Sequence, residues 1–468
     1  MYFFDRLQSF GARTALLQDD GNRVTYEQLS EYASWVGSII PARSLAFCLC
    51  ESVIGSVASY LSCLHNRIVP LLLDAGTNED LLADLISRYQ PGWVFLPSEL
   101  RERYPDWETA GEKWGYTLLK TNFQEAPELF EDLGLLLTTS GSTGSPKLVR
   151  QSYQNIQSNA ESIVEYLEID ENERPVTTLP MNYTYGLSVI NSHMQAGACI
   201  LLTRESVISK AFWSFMKENG ATSIAGVPYT YEMLKRIRFF RMDLPALKTM
   251  TQAGGKLLPE LHREYAEYAE ANGKHFVVMY GQTEATARMG YLPYAKALEK
   301  TGSMGIPIPG GRFELIDASG NATDEVDVVG ELVYEGPNVT LGYAEAREDL
   351  AKGDERGGRL ETGDMAKRDA DGYYYIVGRK KRFLKLFGNR VNLDEVERMI
   401  RLEFPDVDCA CSGDDNALKV YVTDARFGSG IERFLITRTH INQRAIRIIQ
   451  IDEIPRNDSG KIVYKELS

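Results

Sequence analysis

Little in this sequence is basic, sulfur-rich or continuously apolar, and each shortage removes a class of function. Lys and Arg number 51 against 65 Asp and Glu, a net charge of −14, so the clustered basic surface of a dedicated nucleic-acid binder is not expected. No apolar run approaches the roughly 20 residues that a membrane-spanning helix needs. The opening Met1-Tyr2-Phe3-Phe4-Asp5-Arg6 has no basic segment followed by an apolar stretch, which argues against a secretory signal and makes a cytoplasmic protein the expectation. Cysteines number six and histidines five. The pairs Cys48/Cys50 and Cys409/Cys411 have no neighbouring histidine or further cysteine pair to complete a tetrahedral metal site, so they are expected to be reduced, small apolar strand residues. Glycine (39) and proline (18) are in no excess among 468 residues, which excludes collagen-like and low-complexity chains.

What remains is a globular composition, 44% hydrophobic and 25% charged, on a chain too long for a single core, so at least two domains are expected. Thr25 followed three residues later by Gln28 is a capping box and predicts a helix behind it. Leu133-Gly134-Leu135-Leu136-Leu137-Thr138-Thr139 reads as a buried strand running into a Ser/Gly/Thr loop. Ile156, Ala160, Ile163, Val164 and Leu167 then recur at helical spacing, which predicts strand-loop-helix. His275-Phe276-Val277-Val278-Met279-Tyr280 is a second apolar run that ends at glycine, and this alternation predicts an α/β fold with parallel sheets. Beyond Gly336 shorter strands such as Tyr373–Val377 alternate with glycine-bearing turns. After a hinge near Lys381, a helix pattern (Leu393, Val396, Ile400, Phe404) and a strand from Leu418 to Thr423 suffice for a small α+β domain. The expected organisation is a large layered α/β domain over residues 1–380 and a small, mobile α+β lid domain over 381–468.

Chemistry concentrates in a few segments. Thr139-Ser140-Gly141-Ser142-Thr143-Gly144-Ser145-Pro146-Lys147 combines glycines that let backbone N–H groups approach an anion, hydroxyl donors and one lysine. It lacks the G-K-[ST] of a Walker A loop. Tyr280 offers an aromatic face at a strand end, with Thr283 and Glu284 supplying a hydroxyl and a carboxylate suited to phosphate and magnesium. Asp364, after Thr362-Gly363 in an expected tight turn, can accept a pair of ribose hydroxyls. Read singly, each of these also fits a surface loop, a core aromatic or a turn former.

Taken in order, they resemble the adenylate-forming superfamily of acyl-CoA synthetases, peptide-synthetase adenylation domains and beetle luciferases. The resemblance is carried by the Thr139–Lys147 loop, Tyr280-Gly281-Gln282-Thr283-Glu284, Glu361-Thr362-Gly363-Asp364, Gly378-Arg379-Lys380-Lys381 through Gly388, and Pro455-Arg456-Asn457-Asp458-Ser459-Gly460-Lys461. It implies ATP and Mg²⁺ as cofactors, with the loop on the phosphates, Tyr280 on adenine, Thr283 and Glu284 on phosphate and magnesium, and Asp364, helped by Arg379, on the ribose. It also implies that the backbone at Gly254-Gly255 lines the acyl and adenine pocket. Lys461 would stabilise the charge that develops as the carboxylate attacks the α-phosphorus. Lys381 would be the hinge about which the small domain rotates between two half-reactions, and Gly388 would give a phosphopantetheine arm access.

Where amino-acid-activating relatives carry an aspartate, this chain reads Leu179-Pro180-Met181-Asn182-Tyr183-Thr184-Tyr185-Gly186, with Thr184 at that place. A buried ammonium would lack a partner there, so an aliphatic, hydroxylated or aromatic acid is expected instead of an α-amino acid. Tyr183 stands where an aromatic or histidine faces the acyl group, and Tyr153 replaces another frequent histidine. The basic run Arg379-Lys380-Lys381-Arg382 with Lys385 suits either coenzyme A or an acyl carrier protein as the acceptor. The implied activity is an AMP-forming acid–thiol ligase. The alternatives are an adenylation enzyme using another acceptor, a luciferase-like oxygenase and a non-catalytic relative.

Overall fold

A computed structural model describes the chain except residues 124, 139–146, 387–388, 415–416, 440–441, 457–461 and 468, together with the side chains of 383, 385, 386, 389 and 390. The chain forms two compact units, 1–312 with 334–360 and 313–333 with 361–468. The expected boundary after residue 380 lies inside the second of these.

The first unit is an α/β layered structure. Among the described residues, one sheet of nine strands runs in the order Ile306–Pro307, Gly290–Tyr291, His275–Tyr280, Thr249–Gln252, Ser223–Gly226, Pro175–Val176, Ile200–Leu202, Thr14–Gln18 and Arg23–Thr25. Its central strands are parallel, as the continuous apolar runs predict. A second sheet of eight strands is built around the parallel strands Leu45–Cys50, Val69–Asp74 and Leu133–Thr138. Helices Tyr26–Ile39, Ile54–His65, Tyr153–Leu167 and Thr184–Ala196 share one core with both sheets. In it Leu16, Ile200 and Leu202 of the first sheet and Cys48, Leu72, Phe95 and Leu137 of the second meet Leu29, Val57, Leu61, Ile156 and Leu187 of the helices. Ile54–His65 is apolar or small on every side and is buried almost throughout, as a helix wedged between sheets must be. The capping box of Thr25 and Gln28 is formed in both directions. Cys48 and Cys50 alternate onto one face of their strand in this core.

The Ser/Gly-rich loop does not lead directly into a helix. It is followed by a strand, Leu148–Ser152, antiparallel to Leu133–Thr138, and only then by the helix Tyr153–Leu167. The polar letters Arg150 and Gln151 disguise this strand, whose five residues are all buried. Arg150 is fully enclosed because Glu355 pairs with it at 2.5 Å and the carbonyls of Leu341, Tyr343, Lys352 and Gly353 accept from it.

The second unit contains most of a five-stranded sheet, ordered Ala322–Thr323, Arg312–Ile316, Gly330–Glu335, Arg359–Arg368 and Tyr374–Arg379, together with the hairpin Phe383–Leu386/Asn389–Asn392 and a small α+β lobe. In the lobe, helices Leu393–Glu403 and Gly428–Thr439 cover a sheet of Cys409–Asp414, Ala417–Val422 and Ile446–Gln450 around a separate core that includes Val396, Ile400, Cys409, Cys411, Val420 and Leu435. Among the described residues no helix is long and apolar enough to cross a membrane.

Candidate active site

In a parallel sheet the strands end on one edge, and loops leaving those ends are where such folds bind ligands. Thr249–Gln252 and His275–Tyr280 are in register, Gln252 beside Val278. The first leads into Ala253-Gly254-Gly255 and the second, through Tyr280 and Gly281, into Thr283 and Glu284. Gly254 is required twice over. Its φ is +82°, and a Cβ there would stand 2.6 Å from the Tyr183 hydroxyl. Tyr183 is the residue just before the helix Thr184–Ala196, whose first residue, Thr184, is buried. Burial pushes the Tyr183 phenol up to about 12. Gly255 packs on Pro228, and Gln252 Nε2 donates to its carbonyl at 2.9 Å. Tyr183, Thr184 and Gly254 are thus close neighbours beside an apolar cluster of Tyr185, Val189, Ala253, Val277 and Met279.

Thr283 and Glu284 lie in a single turn of helix, Thr283–Ala285. Gly281 has no room for a side chain, since a Cβ would fall 1.6 Å from the Ala287 carbonyl oxygen. Tyr280 closes its strand, half-buried, and accepts from Gln282 Nε2 at 3.3 Å. The Tyr343 hydroxyl donates to Glu284 Oε1 at 2.7 Å. The Glu284 carbonyl accepts from Thr340 N at 3.0 Å, Thr340 Oγ1 at 2.9 Å and Arg356 Nη1 at 3.2 Å. The Arg356 guanidinium lies 4.7 Å from the Tyr343 ring centroid. Lys147, the described end of the Ser/Gly-rich loop, places its Nζ 5.8 Å from the same ring and pairs with Glu345 at 2.5 Å. Burial first, then the adjacent Glu284 carboxylate, pushes the Tyr343 phenol up to about 12, so it stays a donor at neutral pH. Glu284 Oε2 takes no hydrogen bond from the described residues. A half-buried carboxylate with one oxygen fixed and one open fits Mg²⁺, which binds through one or two carboxylates together with substrate phosphates.

In the second unit, Asp364 is buried on the strand Arg359–Arg368 and sits opposite Arg379 in register, with Arg379 Nε 2.7 Å from Asp364 Oδ1. The tight turn expected at Asp364 is therefore a strand. Gly363 at φ +68° and a register shift after Met365 bend the strand without ending its pairing. Lys381 is exposed in the turn Lys380–Arg382. Lys380 pairs with Glu331 at 2.5 Å, and Arg382 is gripped by Asp394 and by Glu397, 2.6 Å away, beneath the Tyr464 ring. Thr139, Ser140, Gly141, Ser142, Thr143, Gly144, Gly388 and Lys461 lie outside the described residues. Thr340, Tyr343 and Arg356 escape sequence reading because they reach Glu284 from 56 to 72 positions away, from a stretch with no motif.

A model of the family described as AMP-binding enzyme matches residues 3–344. An oxalate–CoA ligase of Arabidopsis thaliana is 28% identical over 354 residues, which cover 71% of this chain and 66% of that protein. A feruloyl-CoA synthase of Amycolatopsis sp is 28% identical over 363 residues, covering 73% of this chain and 71% of its own. The match with these relatives therefore spans 66% and 71% of their lengths. The o-succinylbenzoate CoA synthetase of Bacillus subtilis, solved with its acyl-adenylate intermediate, superimposes with a TM-score of 0.80 over 100% of this chain and 97% of that one at 21% identity, a likeness of fold. That synthetase has also been solved with ATP and a magnesium ion.

Proposed function

Because this chain belongs to the AMP-binding enzyme family, we propose that it is an ATP- and Mg²⁺-dependent acid–thiol ligase. A carboxylate oxygen of the acid attacks the α-phosphorus of ATP, the bond to the β-phosphate breaks, and pyrophosphate leaves with an acyl-AMP remaining. A thiolate then attacks the acyl carbon and AMP departs. The acceptor is the thiol of coenzyme A or the phosphopantetheine of an acyl carrier protein. The observation that carries this reading is the Glu284 carboxylate, held through one oxygen by Tyr343 and open at the other, beside the strand end that bears Tyr280.

The roles follow from charge and position. Tyr280 stacks on adenine, Asp364 and Arg379 take the ribose, and Thr139 to Gly144 with Lys147 and Gly255 line the phosphates. Glu284 and the Thr283 hydroxyl would hold Mg²⁺, which neutralises phosphate charge when bound. Lys461 stabilises the charge of the in-line displacement, so catalysis rests on positioning and electrostatics. Tyr183, Thr184 and Gly254 face the acyl group. No carboxylate occurs between Leu179 and Gly186, which disfavours an α-amino acid. Lys381 is the hinge and Gly388 the point of thiol access, with residues 381–468 moving as the lid. The test is pyrophosphate release from ATP with a panel of carboxylic acids, each with and without coenzyme A. At least one acid should drive release. Stimulation by coenzyme A identifies a small-molecule acceptor, and its absence favours a carrier protein. A broad panel with no acid-dependent release contradicts the proposal.

A further inference from the structure

Arg288 is the anomaly beside the acyl cluster. Its residue is 2% exposed, yet no carboxylate lies within ion-pair distance among the described residues. Its side chain meets only neutral groups. Nε donates to Ser188 Oγ at 3.1 Å, Nη1 donates to the Tyr166 hydroxyl and to Met279 Sδ at 3.1 Å each, and the guanidinium lies 5.1 Å from the Tyr185 ring centroid. Nη2 has no partner among the described residues. A buried cation without a counter-charge is expensive, and proteins retain one where an anion arrives from outside. The charge is not needed to hold the turn, because the Arg288 carbonyl is separately fixed by Asn159 Nδ2 at 2.9 Å and Asn338 Nδ2 at 3.0 Å. The backbone also aims this side chain at a cost. Thr286 and Ala287, neither of them glycine, sit at φ +51° and +88° just before it.

The position connects to the acyl residues. Met279 and Tyr185 belong to the same apolar cluster that Tyr183 packs against, Tyr183 and Tyr185 meet edge to face at 6.4 Å, and the Tyr183 hydroxyl lies over Gly254. Tyr166, which accepts from Arg288, is stacked on Tyr291 at 4.3 Å and completes an aromatic wall. An acid whose reacting carboxylate lies toward Gly254 would extend its far end past Tyr183 and Tyr185 to the guanidinium. Arg forms paired, planar hydrogen bonds with a carboxylate better than with any neutral acceptor.

Building on the ligase reading, we propose that the substrate is a dicarboxylic acid, of which one carboxylate is adenylated while the other is paired with Arg288. The Tyr166 hydroxyl supports the second carboxylate, and the tyrosine walls exclude water around the spacer.

The test compares linear dicarboxylic acids of graded length with their monomethyl esters and with monocarboxylic acids of matched length, in acid-dependent pyrophosphate release. One diacid length should exceed its monoester in kcat/KM by about 10²-fold, the effect of leaving a buried charge unpaired. That ratio should fall to near unity in Arg288→Met and lie between in Arg288→Lys, which keeps the charge without the fork. Equal turnover of diacids and monoesters, or turnover of monocarboxylic acids alone, overturns the proposal while leaving the ligase reading intact. Thermal shift with the acids alone decides the matter separately. The favoured diacid should raise the melting temperature of the wild-type protein more than its monoester does, and lose that advantage in Arg288→Met. If no acid releases pyrophosphate, the ligase reading fails and this binding arm still supports or overturns the carboxylate site.

Discussion

Tyr343→Phe removes one atom from the candidate site and leaves nearly everything else in place. The lost hydroxyl donates to Glu284 Oε1 at 2.7 Å, a hydrogen bond to an ionised acceptor of the kind worth about 1.5–3 kcal/mol. Tyr343 is half-buried, so screening places the effect near the lower end, about 1.5 kcal/mol, or roughly tenfold in an equilibrium constant. The ring stays, and with it the contacts to Arg356 and Lys147, so the packing loss is small. If Glu284 holds Mg²⁺ through its open oxygen, the hydroxyl orients the carboxylate, and losing such a support weakens metal affinity by about 10- to 100-fold. Acid-dependent ATP–pyrophosphate exchange should therefore show a half-saturating Mg²⁺ concentration raised about tenfold, with most of the rate recovered at saturating Mg²⁺. An unchanged Mg²⁺ response, or an equal loss at every Mg²⁺ concentration, would refute the assignment.

Other perturbations probe different links. Gly281→Ala puts a Cβ 1.6 Å from the Ala287 carbonyl oxygen, so the turn bearing Thr283 and Glu284 must shift, and exchange should drop by about 10²-fold; a variant within twofold of wild type would mean that the turn is not part of the site. Burial lowers His193 and His262 from 6.5 to about 4, and in His262 the Ala297 carbonyl faces Nε2 while Nδ1 accepts from Gly302 N, which fixes the neutral ring. The unfolded chain then binds more protons between those values, so stability rises with pH and is lost as pH falls from about 6.5 toward 4, by about 2 kcal/mol per histidine at pH 5. All five tryptophans lie in the first unit, so urea unfolding followed by tryptophan fluorescence reads this loss there, and His193→Gln should lessen it by about one proton's worth; an unchanged pH slope would contradict it. Lys381→Pro should keep pyrophosphate exchange and lose thioester formation, whereas Lys461→Ala should lose exchange and keep the fold; identical defects in the two would dismiss the two-pose hinge.

The α/β class and the Thr25 capping box were legible because each depends on local pattern: continuous apolar strands and a four-residue cap. Leu148–Ser152 was not legible as a strand, since its arginine is buried by partners near residues 341–355 that no local window contains. Asp364 reads as a turn residue from Thr-Gly-Asp, yet strand pairing across to Arg379 overrides the local preference. The supports of Glu284 were invisible for the same reason as the buried arginine, being long-range contacts through side chains of ordinary type. Arg288 stands eight residues from Tyr280 in plain view, but only its burial without a carboxylate separates it from any surface arginine.

The central claim, that a carboxylate attacks the α-phosphorus, is tested most directly by isotope transfer. A turned-over acid labelled with ¹⁸O in both carboxyl oxygens, incubated with ATP, Mg²⁺ and the thiol acceptor, should yield AMP carrying one ¹⁸O, because the oxygen bridging acyl carbon and phosphorus stays with phosphorus when the thiol attacks. Unlabelled AMP, or formation of ADP with the label in inorganic phosphate, would contradict the acyl-adenylate and the account built on it.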